Sequence, residues 1–147
     1  MNDNSLIAIL FAVSLLSAPK ATPELRALAM IETGNNSKLI GKHGEVSAYQ
    51  IKPRVWKQYK NTPYSVYYWS SLDYSSIIAI NHRLWLYDNY IRLSGYKTMN
   101  NLEFYCLWNL GLEGFRKYSF NVQAVPHKTR DAAMRYNNLV FLYSSNN

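Results

Sequence analysis

The sequence predicts a mainly α-helical fold with at most one short β-hairpin. Apolar residues recur at the three- and four-residue spacing of amphipathic helices, and residues typical of helix N-termini precede several of these stretches. Alternation of apolar and polar residues, which would indicate strands, is scarce. The chain has 147 residues, of which 48% are hydrophobic and 15% aromatic, so we expect one domain with a sizeable core rather than two domains or a disordered chain.

The N-terminal segment, residues 1–21, predicts export from the cytoplasm to the periplasm or the extracellular space. Its apolar stretch, residues 6–16, is too short to span a bilayer but suits the core of a signal peptide. Asp3 and the lack of Lys or Arg before this stretch are unusual for a signal, and no clean small-x-small cleavage site follows it. A buried N-terminal helix is the competing interpretation, and residues 22–147 form the predicted domain.

The first predicted helix begins after Thr22 and ends near Glu32. Thr22 is a favourable N-cap, and Pro23 suits the first helical turn. Leu25 and Leu28 lie on one face of this helix, and Glu32 continues the same face. A carboxylate on an apolar face loses solvation when it is ionised, so its pKa rises toward the range of a general acid. The alternative is a Glu at a helix end whose side chain turns back to water.

A polar, glycine-rich loop follows, and part of it, residues 38–49, can form the hairpin. The later helices are predicted from Pro53 to before Pro63, from Asp73 to near Gly95, from Asn100 to Gly111 and from residue 130 to 143. Asp73 and Asn100 are favourable N-caps, and Glu103 completes a capping-box pattern with Asn100. Glycine ends the two middle helices.

A spaced pattern of polar residues follows Glu32. Asn36 lies four positions after it, and Gln50 lies eighteen positions after it. Gln50 belongs to the segment 44–56, which reads GEVSAYQIKPRVW and has Pro53 three positions after the Gln.

These residues resemble the lytic transglycosylase branch of the lysozyme-like superfamily. In that family a catalytic Glu ends a helix, an Asn follows four residues later, and a Gly-x-Met-Gln-x-x-Pro segment has its Gln eighteen positions after the Glu. Segment 104–111, FYCLWNLG, is similar to the family's Tyr-Asn-Ala-Gly motif with Trp108 in place of the Tyr. Segment 125–130, VPHKTR, is similar to the stretch that opens the family's last helix. The matches follow the family order from residue 22 to 143.

Three positions depart from the family pattern. Thr33 replaces the usual Ser after the Glu, and Lys128 replaces an acidic residue near the last helix, where one position is also deleted. Ser47 replaces the Gly that lets substrate approach the backbone, which predicts a tighter cleft wall. These departures leave the superfamily resemblance in place and bear mainly on the exact reaction.

The resemblance implies a lysozyme-like helical domain with a central cleft that binds peptidoglycan. It also implies cleavage of the β-1,4 bond between N-acetylmuramic acid and N-acetylglucosamine, with Glu32 acting first as acid and then as base. The sugar's own 6-hydroxyl attacks C1, so the product has a 1,6-anhydro end and no cofactor is needed. The substrate-binding residues that it implies are Asn36, Ser47, Tyr49, Gln50, Trp108 and Asn109.

Two other functions remain open. A hydrolase on the same fold, a muramidase or chitinase, needs a second carboxylate. Glu45, Glu103 and Glu113 are available, but their positions favour solvated surface charges or caps. A non-catalytic wall-binding protein would keep the fold, although it would have no need for Glu32 and Gln50 together.

The formal net charge of +7 predicts an anionic partner. Peptidoglycan carries carboxylates and fits this expectation. Nucleic acid is a second anionic candidate, but no basic run or nucleic-acid motif occurs, so we do not expect it as a partner. The alternative is a dispersed, solvated basic surface.

Cysteine and histidine usage predicts no metal site. Cys106 is the single cysteine, which excludes an intramolecular disulfide, and its apolar surroundings suit a core residue. The three histidines are scattered, and no Cys/His cluster has ligand spacing. We expect a monomer without a stable membrane span.

Overall fold

The structure, a computed structural model, describes residues 21–59 and 62–146. These residues contain seven helices and no sheet, and 62% of them are helical, which confirms the mainly α fold. The predicted export segment lies outside the described residues except for Ala21. Within the described ranges, no helix combines the length and the apolar character needed to cross a membrane.

The helices differ from the predicted ones mainly in the middle of the chain. They are α1 (Pro23–Thr33), α2 (Pro53–Trp56), α3 (Val66–Ser70), α4 (Leu72–Ser94), α5 (Asn101–Leu110), α6 (Leu112–Arg116) and α7 (His127–Ser145). The second helix ends at Trp56, well before Pro63, so its predicted length was wrong. The short helices α3 and α6 were not predicted, and α7 begins three residues earlier than expected.

Local capping explains why α1 and α5 begin where the sequence predicted. Thr22 Oγ1 accepts a hydrogen bond from the Leu25 N–H at 3.4 Å at the start of α1. At α5 the capping box is complete, with Glu103 N–H donating to Asn100 Oδ1 at 3.0 Å and Asn100 N–H donating to Glu103 Oε2 at 2.7 Å. The predicted cap of α4 was wrong, because Ser71 occupies the N-cap and Asp73 lies inside the first turn.

Helix α5 contacts α4, α6 and α7, and α7 also packs against α1. Aromatic residues fill the α5–α7 contact, where the fully buried Tyr136 lies 5.6 Å from Phe104 and 5.5 Å from Tyr105 between ring centroids. Leu28 of α1 is 1% exposed, and burial of such a side chain contributes about 2 kcal/mol. This packing fixes the end of α1 relative to α5.

The loop between α1 and α2 contains a tight turn that an isolated bridge closes. Val46 and Ile51 exchange two backbone hydrogen bonds of 3.0 and 2.8 Å, which form an isolated antiparallel bridge. Within residues 47–50, Ser47 and Gln50 have positive φ angles of 71° and 50°, a left-handed conformation that reverses the chain. This bridge is all that the described residues contain of the predicted hairpin.

Candidate active site

Glu32 lies in the last turn of α1, where the helix meets the 47–50 turn. Gly34 ends the helix in the left-handed conformation, with a φ of 62°. The hydroxyl of Thr33 contacts two carbonyl oxygens, that of Ala29 in its own helix at 3.1 Å and that of Ala48 in the turn at 2.9 Å. Thr33, the residue after Glu32, therefore connects the end of α1 to the turn.

The environment of Glu32 favours its protonated form. Its Oε1 atom is buried and has no hydrogen-bond partner among the described residues. Burial raises the pKa of Glu32, the hydroxyl of Tyr105 lowers it in part, and the charge of Glu45 raises it again. The net effect is a raised pKa, as the position of Glu32 on an apolar helix face predicted, and a raised pKa suits a general acid.

Tyr105 is the neighbour of Glu32 that the sequence did not reveal. It is 3% exposed, and its ring stacks on Tyr136 of α7 with an interplanar angle of 29°. Burial and the neighbouring Glu32 carboxylate raise the pKa of Tyr105, so its hydroxyl stays protonated and can donate to that carboxylate. One signal was available, because Tyr105 lies one helical turn before Trp108 on α5.

Glu45 is a second carboxylate near Glu32, and its pKa shifts in the opposite direction. Desolvation alone would raise the pKa of Glu45, but the N–H groups of Glu45 and His43 and the charges of His43 and Lys52 lower it overall. The His43 N–H donates to Glu45 Oε2 at 2.9 Å. A Cβ atom at Gly41 would collide with side-chain oxygens of Glu45 and Gln50. The glycine therefore lets both side chains lie against the backbone at this position. Two carboxylates with opposite shifts can divide acid and base roles.

The 47–50 turn contains three of the predicted substrate-binding residues. Ser47 is fully buried, and its hydroxyl accepts a hydrogen bond from the Tyr49 N–H at 3.2 Å. Its side chain therefore shapes the turn. The sequence had suggested that Ser47 narrows a cleft wall, and it does not. Burial raises the pKa of Tyr49 to about 12. The Gln50 amide donates to the carbonyls of Leu39 at 3.2 Å and Ser47 at 3.4 Å, which orients its Oε1.

Trp108 connects α5 to the turn, whereas the two asparagines lie elsewhere. Trp108 Nε1 donates to the Tyr49 carbonyl oxygen at 3.2 Å. Asn109 is exposed, and its Oδ1 accepts a hydrogen bond from Thr129 of α7 at 3.0 Å. Asn36 is also exposed, and its Oδ1 accepts a hydrogen bond from the backbone of the loop that follows it. The structure thus brings Tyr49 and Trp108 together but gives the asparagines local structural contacts.

A cleft of about 390 Å³ opens beside the turn. Gln50 and Trp108 both line this cleft, whereas Glu32, Asn36 and Asn109 do not. Its other lining residues are Ile51, Lys52, Arg54, Val55, His82, Trp85, Leu110, Gly111, Leu112, Glu113 and Gly114. The described part of the chain holds no group of three or more His, Cys, Asp or Glu side chains suited to a metal ion.

Neither a scan against protein-family models nor searches of curated proteins and of solved structures give a match for this chain. The function is therefore inferred from the site itself. That site combines Glu32 with a raised pKa, the tyrosine and the second carboxylate beside it, and a cleft bordered by Gln50 and Trp108.

Proposed function

We propose that the chain is a peptidoglycan lytic transglycosylase in which Glu32 is the single acid and base. The observation that supports this most is the carboxyl group of Glu32, which is buried at a helix end and has a raised pKa. Its spacing from Gln50, which lines the cleft, is the spacing of the family that the sequence resembles. An exported enzyme would meet this substrate in the cell wall.

In the first step, protonated Glu32 donates its proton to the glycosidic oxygen while the bond to C1 breaks. Positive charge develops on the muramic acid ring. The N-acetyl group of the sugar and the fixed dipoles of the 47–50 turn are the groups that would stabilise this charge. The hydroxyl of Tyr105 then stabilises the Glu32 carboxylate that remains.

In the second step, the Glu32 carboxylate accepts the proton of the sugar's 6-hydroxyl, whose oxygen bonds to C1. The acid is regenerated, no water is consumed, and the product has a 1,6-anhydro end. Gln50 and Trp108 would hold the strand beside the 47–50 turn. Because Glu32 does not line the cleft, the reacting bond would lie at the edge of the cleft nearest the end of α1.

Mass spectrometry of digested cell-wall sacculi tests this proposal. The wild-type protein should release muropeptides with 1,6-anhydro ends, and Glu32→Gln should release almost none. Glu24→Gln is the matched control, because Glu24 lies on the same helix but pairs with Arg83 at 4.0 Å. Binding to sacculi without any released muropeptide would instead support a non-catalytic wall-binding protein.

A hydrolase is the second candidate, and the lowered pKa of Glu45 favours it. An ionised carboxylate beside a protonated one is the arrangement by which inverting glycosidases activate water. In that case the digest would contain reducing ends in place of anhydro ends, and Glu45→Gln would abolish their release. A wild-type rate for Glu45→Gln together with anhydro products would exclude this alternative.

A further inference from the structure

Most of the cleft lining takes no part in the reaction proposed above. Beyond Gln50 and Trp108, the cleft contacts His82 and Trp85 of α4 and the two cationic residues Lys52 and Arg54. These side chains come from two separate segments of the chain that meet only in the folded protein.

The α4 side of the cleft is a cluster of flat rings. The His82 ring stacks on Trp85 with a centroid distance of 5.7 Å and an interplanar angle of 10°. It also meets Trp108 edge-on at 5.5 Å. Burial, with a smaller effect from Lys52, lowers the pKa of His82 to about 4, so its ring is neutral near pH 7. Trp85 is 44% exposed, and an exposed indole surface suits the apolar face of a sugar ring.

The segment after the 47–50 turn brings two cationic side chains to the same cleft, and the charge of one of them, Lys52, also acts on Glu45. Lys52 and Arg54 are exposed, and neither forms an ion pair within 4.0 Å with the residues described here. The acidic lining residue Glu113 pairs with its own helix neighbour Arg116 at 3.4 Å. A guanidinium beside an ammonium, both open to solvent, can bind a carboxylate by charge-assisted hydrogen bonds.

We propose that this part of the cleft is a subsite for a glycan unit that carries a carboxylate. The sugar face packs against Trp85, and the carboxylate binds Arg54 and Lys52. The proposal rests on the proposed function, because it deepens that function by naming which strands the enzyme prefers. Two sources of the carboxylate share this chemistry, the lactyl group of the sugar and the peptide attached to it.

Equilibrium binding of Glu32→Gln protein to soluble glycan strands tests the subsite without turnover. Three strand preparations are compared: strands with peptides, strands stripped of peptides with a free lactyl carboxylate, and stripped strands whose lactyl carboxylate is amidated. Adding Lys52→Gln and Arg54→Gln should raise the dissociation constant about tenfold for at least one carboxylate-bearing preparation. It should leave the amidated strands unchanged, and the preparation with the larger loss identifies the source.

The matched control is Glu32→Gln with Lys97→Gln and Lys117→Gln, which removes the same charge from exposed positions outside the cleft. This control should bind all three preparations like the parent protein. Equal losses in the control, or equal losses on amidated strands, would show that only bulk charge matters and would overturn the subsite. Because Lys52 and Arg54 are exposed, unchanged thermal midpoints should accompany these substitutions.

Failure of the subsite is distinguishable from failure of the proposed function. If the binding preference holds but wild-type protein releases no muropeptide, the subsite stands and the catalytic proposal fails. If wild-type protein releases anhydro products while its binding ignores the carboxylate, only the subsite fails. Trp85→Ala adds an independent measurement, because it should weaken binding to all three preparations alike.

Discussion

The end of α1 and the loop that follows it each supply one glutamate. The two regions shift the pKa of their glutamate in opposite directions. At the helix end, packed helices remove water from Glu32 and leave its Oε1 atom without a partner among the described residues. In the loop, backbone N–H groups and nearby cations hold Glu45 in its ionised form. The pKa therefore rises in the first region and falls in the second. The lesson is that the packed helices supply desolvation, whereas the irregular loop supplies hydrogen-bond donors.

The largest effect expected is on the helix side. Glu32→Gln keeps the shape of the side chain but removes its proton, so muropeptide release should fall at least ~10²-fold, the usual contribution of general acid–base catalysis. Binding to sacculi should be little changed. Wild-type release by this variant, with Glu24→Gln as reference, would remove Glu32 from the mechanism.

Tyr105→Phe tests whether the Tyr105 hydroxyl acts on Glu32. Loss of the hydroxyl should lower turnover about tenfold, because a hydrogen bond to a charged group is lost in the second step. It should also raise the pKa of Glu32. The alkaline limb of the pH–activity profile should therefore move to higher pH. Tyr136→Phe is the control, because its buried hydroxyl has no partner among the described residues. A wild-type pH profile for Tyr105→Phe would contradict the pairing.

Two alanine variants distinguish a residue that positions the substrate from one that only supports the fold. Gln50→Ala should lower muropeptide release per folded molecule several-fold, because the Gln50 side chain borders the cleft, and should also cost about 1 kcal/mol of stability through its lost hydrogen bonds to loop carbonyls. Asn109→Ala should leave activity per folded molecule unchanged and cost about 1 kcal/mol of stability through the lost hydrogen bond from Thr129. Assays of activity and thermal unfolding on both variants would expose a reversed pattern.

The smallest effects expected are on stability as a function of pH. Glu32 has a folded pKa above its ordinary value of 4.5, so its stabilising contribution is complete below that value and is lost as pH rises through the folded pKa. Glu45 has a lowered pKa, so its contribution is present above 4.5 and is lost as pH falls through the folded pKa. Relative to wild type, Glu32→Gln should gain in thermal midpoint as pH rises above 4.5, whereas Glu45→Gln should lose in thermal midpoint as pH rises toward 4.5 from below. Parallel difference curves would refute the opposite shifts.

Local signals in the sequence were sufficient for the fold class and for the capped helices. The caps of α1 and α5 depend on residues within three positions of each other, so their spacing is visible in the sequence. The short helices α3 and α6 and the early end of α2 depend on packing, which no local pattern encodes. Asp73 illustrates this limit, because a good capping residue lies within the first turn of a helix whose N-cap is two positions earlier.

The candidate site also combines features that the sequence predicted with features that depend on the folded structure. The apolar periodicity of α1 predicted that Glu32 loses solvent, because the apolar face of a helix is the face that packs against the rest of the protein. Tyr105 was missed because a tyrosine in an apolar run looks like any core aromatic residue. Glu45 was interpreted as a surface charge, since the N–H groups that hold it belong to a loop whose shape the sequence does not reveal. Asn36 and Asn109 fit a spacing pattern, but the direction of an amide depends on the folded backbone.

The hydrogen bond from Trp108 to the Tyr49 carbonyl has a consequence for the order of folding. It joins positions that are 59 residues apart in the chain, and closure of so long a loop is entropically costly until other contacts hold its ends together. The contact between Trp108 and the turn that carries Gln50 therefore forms only after α5 has docked. During synthesis, a nascent chain that has produced α1 and the loop would already contain both glutamates. It would still lack Tyr105 and one wall of the cleft, so the proposed site would be complete only late in the assembly of the chain.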